Sequence, residues 1–174
     1  MNDLAPSASQ NLLAAVIVGP GGCTRLGREG DIETLDFTAA ALHLQQEASL
    51  VCHARSISRR LSMPGFAGYD LLELFAFVYP ARFVLPTPRG LAAACGLPVP
   101  QNQEDEALLL PQVATRLLAE LKTAGPPNPL RRSAAPIAQV MKDCGWIWAP
   151  LVLNALGVTD IAPPGIVRIA GLAI

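Results

Sequence analysis

The acidic residues of this sequence include pairs whose spacing suits metal-dependent catalysis, and the clearest is Asp31 with Glu33. One residue separates them, so on a strand both side chains point to the same face. A two-metal nuclease uses carboxylates arranged in this way to hold two ions about 4 Å apart. Asp31 and Glu33 are therefore candidate catalytic residues.

A second acidic pair, Asp70 and Glu73, opens an apolar run that continues to Tyr79. A catalytic role is one interpretation of the pair. The other is helix capping, because an acid at the N-cap with Glu three residues later has the spacing of a capping box. Both acids would also favour the positive end of the helix dipole. We expect Asp70 to cap its helix, and we keep both acids as weaker catalytic candidates.

Basic residues form a second kind of pattern. Arg55, Arg59 and Arg60 lie close together, and four residues of helix would put Arg55 and Arg59 on one face. Arg82 and Arg89 stand near an aromatic residue. Clustered arginines beside an aromatic ring suit contact with a nucleic-acid backbone. The simpler interpretation is a set of solvated surface arginines.

Several common catalytic motifs are missing from the sequence. There is no G-x-x-x-x-G-K-[ST] phosphate loop and no G-x-S-x-G nucleophile motif. The four cysteines are far apart along the chain, which is unlike the paired ligands of a zinc site. The sequence therefore predicts no ATP site, no serine nucleophile and no metal site in this chain.

Composition narrows the class of protein further. Of 174 residues, 51% are hydrophobic and 16% are charged, against about 25% charged in an average soluble domain. The net charge of −1 argues against a large basic surface. The apolar runs are shorter than the roughly 18 residues of a membrane span, and the start of the chain does not resemble a signal peptide. We expect a cytoplasmic protein with no membrane partner.

The elements that must position these residues change character near residue 55. Before it, short apolar runs separated by glycine-rich turns predict the order β-β-β-α-β, and after it the apolar spacing is helical. Thr87 followed by Pro88 predicts a helix start, with Gly96 at its end. Residues 104–122 form the longest predicted helix. The sequence thus predicts an α/β fold with a mixed sheet.

Three segments of the sequence carry a more specific signal than the composition does. Val51-Cys52-His53-Ala54, the run Asp70-Leu71-Leu72-Glu73-Leu74-Phe75-Ala76-Phe77 and the segment 146–152 resemble the region ahead of the helicase core in bacterial DinG-like ATP-dependent DNA helicases, which are related to the XPD helicases. The resemblance covers roughly residues 12–157, and the Asp70 block is its most specific part.

That region is itself similar to DnaQ-type exonuclease domains, so the resemblance implies an RNase H-like sheet with helices, followed by a mostly helical C-terminal part. The chain departs from the exonuclease pattern in three places. The first strand lacks D-x-E, Ser58 stands near the place of the second-motif acid, and the third-motif histidine is missing near Asp105. We therefore expect a degenerate domain that does not cleave DNA.

The resemblance also implies a division of the chain and a set of partners. We expect a truncated helicase product whose partners are DNA, bound weakly and without sequence preference, and the parent helicase core, which alone would use ATP and Mg²⁺. One alternative is a metal-dependent nuclease that uses Asp31, Glu33, Asp70 and Asp105, and another is a structural fragment without activity. The expected parts are a flexible lead (1–10), the degenerate exonuclease-like domain (11–123), a proline-rich loop (124–136), a short helical segment (137–157) and a tail of unknown structure (158–174).

Overall fold

A mixed five-stranded sheet forms the centre of the protein. The computed structural model describes residues 13–122 and 129–158. The strand order is β3-β2-β1-β4-β5, in which β1, β2 and β3 are antiparallel neighbours while β4 and β5 run parallel to β1. The strands are β1 (Ala15–Val18), β2 (Cys23–Leu26), β3 (Ile32–Leu35), β4 (Leu50–Val51) and β5 (Tyr69–Asp70). The prediction of a mixed sheet formed mainly before residue 55 is confirmed.

Helices cover both faces of this sheet, and those of the described residues are α1 (Phe37–Gln46), α2 (Ala54–Arg60), α3 (Leu71–Val78), α4 (Pro88–Cys95), α5 (Gln103–Lys122), α6 (Pro129–Asp143) and α7 (Ala149–Ala155). The central strand β1 is apolar and β-branched because it has a helix layer on either side. Ile17 belongs to the main core, with residues of α3, α4, α5 and α7. Val16 belongs to a smaller core with Leu44 of α1 and Ile57 of α2.

Local capping signals set several helix ends as predicted. The Thr87 side chain accepts a hydrogen bond from the Gly90 amide, Pro88 occupies the first helical position, and Gly96 ends α4 in the left-handed conformation at φ 67°. Leu110 and Leu117 of α5 are buried, as the spacing of its apolar residues predicts. Helix α5 packs against β1, β2 and β4, and these contacts fix where the first turn of α5 lies relative to the sheet.

The prediction of a proline-rich loop over 124–136 is wrong from residue 129 onward, where α6 begins. A proline at the first helical position loses no hydrogen bond, since that amide has no partner within the helix. Pro136 lies inside α6, where a proline costs roughly 3 kcal/mol. Ala134 and Ala138 are buried, and α6 packs against α7, so tertiary packing outweighs the local preference of proline.

The predicted lead over 1–10 and the tail from 159 onward lie outside the described residues. Val158, the last residue described, packs against the main core. No helix within the described ranges is both long and apolar enough to cross a membrane.

Candidate nucleic-acid interface

Asp70 is the most highly connected acid of the predicted set. Its buried carboxylate accepts backbone hydrogen bonds from His53 (3.0 Å), Ala54 (2.7 Å) and Leu72 (2.9 Å). The bond from Leu72 caps α3, which confirms the predicted capping role. The bonds from His53 and Ala54 fasten the first turn of α2 to the end of β5. Asp70 is therefore a structural joint between two helices and the sheet.

Glu73 does not complete a capping box with Asp70. Its Oε2 accepts a hydrogen bond from Trp146 Nε1 at 3.0 Å. Partial burial raises the pKa of Glu73, while the bond from Trp146 opposes that shift. Glu73 therefore joins α3 to the segment between α6 and α7, and the capping-box interpretation is wrong for this residue.

Asp31 and Glu33 lie on one face, as their spacing predicts, but a cation already occupies that face. Arg25 Nη1 of the neighbouring strand lies 3.0 Å from Glu33 Oε2 and 3.5 Å from Asp31 Oδ2. Both acids are exposed at the edge of the sheet, and β2 and β1 separate this edge from β4 and β5, where Asp70 lies. The fold gives them an ion-pair role and does not bring them to Asp70.

Asp105 lies in the first turn of α5, where its Oδ2 accepts a hydrogen bond from the Gln101 amide at 3.0 Å. Its own amide donates to Asn102 Oδ1 at 2.8 Å. These hydrogen bonds order the chain at the start of α5. The Asp105 carboxylate, like that of Asp70, therefore accepts a hydrogen bond from the backbone.

The fold brings together the end of β1 and the start of α5, two of the three places at which the resemblance puts exonuclease ligands. Gln103 Nε2 donates to the Gly22 carbonyl oxygen at 3.2 Å, and a Cβ on Gly19 would collide with the Gln103 amide. Ile17 on β1 belongs to the main core. The β1 side of this junction thus offers alkyl groups where two-metal chemistry needs carboxylates, and Gln103 of α5 contributes an amide to it. Across the described ranges, no three His, Cys, Asp or Glu side chains group closely enough to hold a metal ion.

We expect the purified chain to leave single-stranded DNA intact with Mg²⁺ or Mn²⁺, because its acids are dispersed. The measurement is a time course of a labelled strand on a denaturing gel, with a metal-dependent exonuclease as the positive control. Degradation of the strand that requires the metal ion and copurifies with the chain would contradict the expectation.

The Cys52 thiol and the Ser49 hydroxyl are not suited to act as nucleophiles. Burial, with the negative charges of Asp70 and Glu106, raises the pKa of Cys52 to about 12, so its thiol stays protonated at neutral pH. Ser49 Oγ lies 3.0 Å from His43 Nε2, but Ser49 is fully buried. Neither group offers a substrate an accessible nucleophile.

The five predicted DNA-binding arginines divide into two groups. Arg60, Arg82 and Arg89 each use the guanidinium within the fold, and Arg82 also lies over the ring of Tyr79 at 4.5 Å. Arg89 additionally pairs with Glu106 at 3.7 Å. The carbonyl oxygens that accept from these three arginines belong to Val18 (2.9 Å), Ala94 (3.3 Å) and Gln101 (3.2 Å).

Arg55 and Arg59 are different, because within the described part of the chain neither guanidinium has a hydrogen-bond or ion-pair partner. Both are exposed, and both line one concavity of about 460 Å³ beside α2. We call this the α2 concavity; its lining residues are Ala54, Arg55, Ser58, Arg59, Ser62, Met63, Gly65 and Phe66. Two free cations that share one recess are an arrangement that suits an anionic ligand.

The backbone at both ends of α2 is unusual. Among the described residues, the non-glycine positions with positive φ are His53 (66°) and Ser62 (49°), and they bracket this one helix. Such conformations cost of order 1–3 kcal/mol and persist where surrounding contacts hold them. The Asp70 carboxylate holds His53, and the Ser62 amide donates to the Arg59 carbonyl oxygen at 3.2 Å. The position of α2 is thereby fixed.

The other walls of the α2 concavity were not predicted from the sequence. Ser62, Met63 and Phe66 follow the predicted basic helix, but no local pattern shows that the chain turns back beside it. The position of Phe66 shortly after the three arginines is the sequence signal that points to an apolar wall there. Comparison of the chain with protein-family models, curated proteins and solved structures finds no match in any of the three.

Proposed function

We propose that this chain is a non-catalytic, RNase H-like accessory domain of a DinG-like ATP-dependent DNA helicase, and that it contacts the DNA backbone through α2. The observation that carries the proposal is the pair of guanidiniums, Arg55 and Arg59, that share one recess on a rigidly held helix and have no partner among residues 13–122 and 129–158. ATP and Mg²⁺ would serve the parent helicase core, against which the domain would pack.

The sheet supports the fold part of this proposal. The chain order β-β-β-α-β, which the sequence pattern predicts and which fits an RNase H-like fold, is present over β1, β2, β3, α1 and β4. Three antiparallel strands continue into two parallel ones, and helices cover the sheet on both faces.

The contacts of the acids support the non-catalytic part. Asp70 and Asp105 accept backbone hydrogen bonds, Glu73 accepts from Trp146, and the Asp31 and Glu33 pair neutralises Arg25. Each candidate carboxylate is therefore engaged in a structural contact, and these contacts lie at different places in the fold.

Charge sets the expected strength of DNA binding. Two free arginines on a chain of net charge −1 can neutralise about two phosphates, and such contacts carry no base information. We therefore expect weak binding without sequence preference, at micromolar Kd or above, that falls steeply as salt is added.

The test is the salt dependence of DNA binding for the double variant Arg55→Ala/Arg59→Ala. Each lost phosphate contact lowers the slope of log Kobs against log salt by about 0.7 on a single strand and about 0.9 on a duplex. The double variant should therefore lose about 1.4 to 1.8 units, measured by fluorescence anisotropy of a labelled oligonucleotide.

Arg82→Ala/Arg89→Ala is the matched control, since it removes the same charge from guanidiniums that the fold already uses. Its slope should stay close to that of the unmodified chain. An unchanged slope in the α2 variant, or an equal loss in the control, would refute contact through α2.

A further inference from the structure

We infer that the α2 concavity is a nucleotide subsite in which an unpaired base lies against Phe66 while Arg55 and Arg59 hold the adjoining phosphates. This inference rests on the proposed function and names the form of nucleic acid that the same surface takes. A purely electrostatic contact would need only the arginines. The recess also has an apolar wall, which a phosphate cannot use.

Phe66 and Met63 form that apolar wall. Both side chains are half-buried, both line the recess, and both pack against the smaller core of Val16, Leu44, Val51 and Ile57. The Phe66 ring also lies close over Gly68, where a Cβ would come within 2.8 Å of it. The core and Gly68 hold the half-buried ring in place, so a base that stacks on the part that lines the recess would cost the ring little conformational freedom.

The cations are placed to act together with this wall. Four residues of helix separate Arg55 from Arg59 by about 6 Å along α2. Both guanidiniums are exposed at the recess, so they face one short stretch of backbone. Aromatic rings beside a basic groove are how proteins bind single strands without reading sequence, because every base has a π face.

A base pair cannot use this subsite. In a duplex each base is stacked between its neighbours, and only base edges face the grooves. The inference thus predicts a preference for unpaired over paired nucleic acid.

The experiment compares three probes of matched backbone charge by fluorescence anisotropy: a short oligothymidylate, an abasic strand of equal length and a hairpin duplex. The unmodified chain should bind the oligothymidylate roughly fivefold or more tightly than the abasic strand, since a base stacked on an aromatic side chain strengthens binding by at least that factor. The duplex should bind no better than the abasic strand.

Phe66→Leu keeps an apolar side chain against the core and removes the ring. It should bring the ratio between the oligothymidylate and the abasic strand close to one while leaving binding of the abasic strand unchanged. Phe66→Tyr should retain the ratio. Phe83→Leu is the matched control, because Phe83 is 84% exposed and is not among the residues that line the recess.

The outcomes separate the two proposals. If the arginine variant lowers the salt slope but the abasic strand binds as tightly as the oligothymidylate, the nucleotide subsite is refuted and backbone contact stands. An equal loss of both strands in Phe66→Leu would also refute the subsite, because the ring would then have only a structural role. If the arginine variant leaves the salt slope unchanged, backbone contact itself fails.

Discussion

Replacing Asp70 with alanine is expected to lower the free energy of unfolding by about 3 kcal/mol or more, well above the roughly 1 kcal/mol of an ordinary helix cap. The reason is the number of donors that lose their acceptor. The amides of His53, Ala54 and Leu72 all point at this buried carboxylate, and each unsatisfied donor costs about 1–3 kcal/mol. Because His53 and Leu72 are only half-buried, water can partly replace the lost acceptor. We therefore expect a total cost near the lower end of the sum of these three penalties.

Urea unfolding followed by circular dichroism measures this change. Asp36→Ala is the matched control, because Asp36 caps α1 through one hydrogen bond, to the Ala39 amide at 2.7 Å, and is exposed. It should cost about 1 kcal/mol. Asp70→Asn should fall between the two, since its amide keeps one acceptor oxygen. Equal losses in the two alanine variants would show that the bonds from Asp70 to His53 and Ala54 add nothing to stability.

Replacing Trp148 with alanine should cost about 3–5 kcal/mol, the range for removing a large buried aromatic side chain. Trp148 is fully buried, its Nε1 donates to the Asp70 carbonyl oxygen at 2.9 Å, and its ring meets Tyr69 edge-on at 5.0 Å. The side chain therefore fastens the C-terminal helices to β5. Its loss leaves a cavity at the junction that also holds α2.

Trp146→Ala is the comparison for this variant. Trp146 is half-buried and bonds Glu73, which lies partly buried at the protein surface, so its removal should cost less, about 1–2 kcal/mol. Circular dichroism is the suitable measurement, because both substitutions remove a fluorophore. Asp70→Ala keeps the backbone carbonyl oxygen that accepts from Trp148, so this hydrogen bond is lost in Trp148→Ala and not in Asp70→Ala. A Trp148→Ala cost no larger than that of Trp146→Ala would contradict the assigned role.

Elements whose causes lie within a few residues could be predicted from the sequence alone. Thr87, Pro88 and Gly96 predicted α4, because a cap acts on amides within its own first turn and glycine alone adopts the left-handed end at low cost. The β-branched run before Gly19 predicted β1, and Asp70 predicted the start of α3. These signals depend on neighbours a few residues away, which the sequence displays directly.

Features that depend on contacts between distant parts of the chain could not be predicted from local sequence. Asp70 lies 16 and 17 residues from the amides of Ala54 and His53, and the parallel pairing of β4 with β5 brings them together. Helix α6 begins among prolines because α7 packs against it. The five predicted arginines look alike in sequence, yet only the folded chain brings backbone carbonyl oxygens to three of them. Within the described residues it gives Arg55 and Arg59, beside Phe66, no such partner. A side chain is free or occupied according to which distant groups the fold places within hydrogen-bonding distance, and no local pattern carries that information.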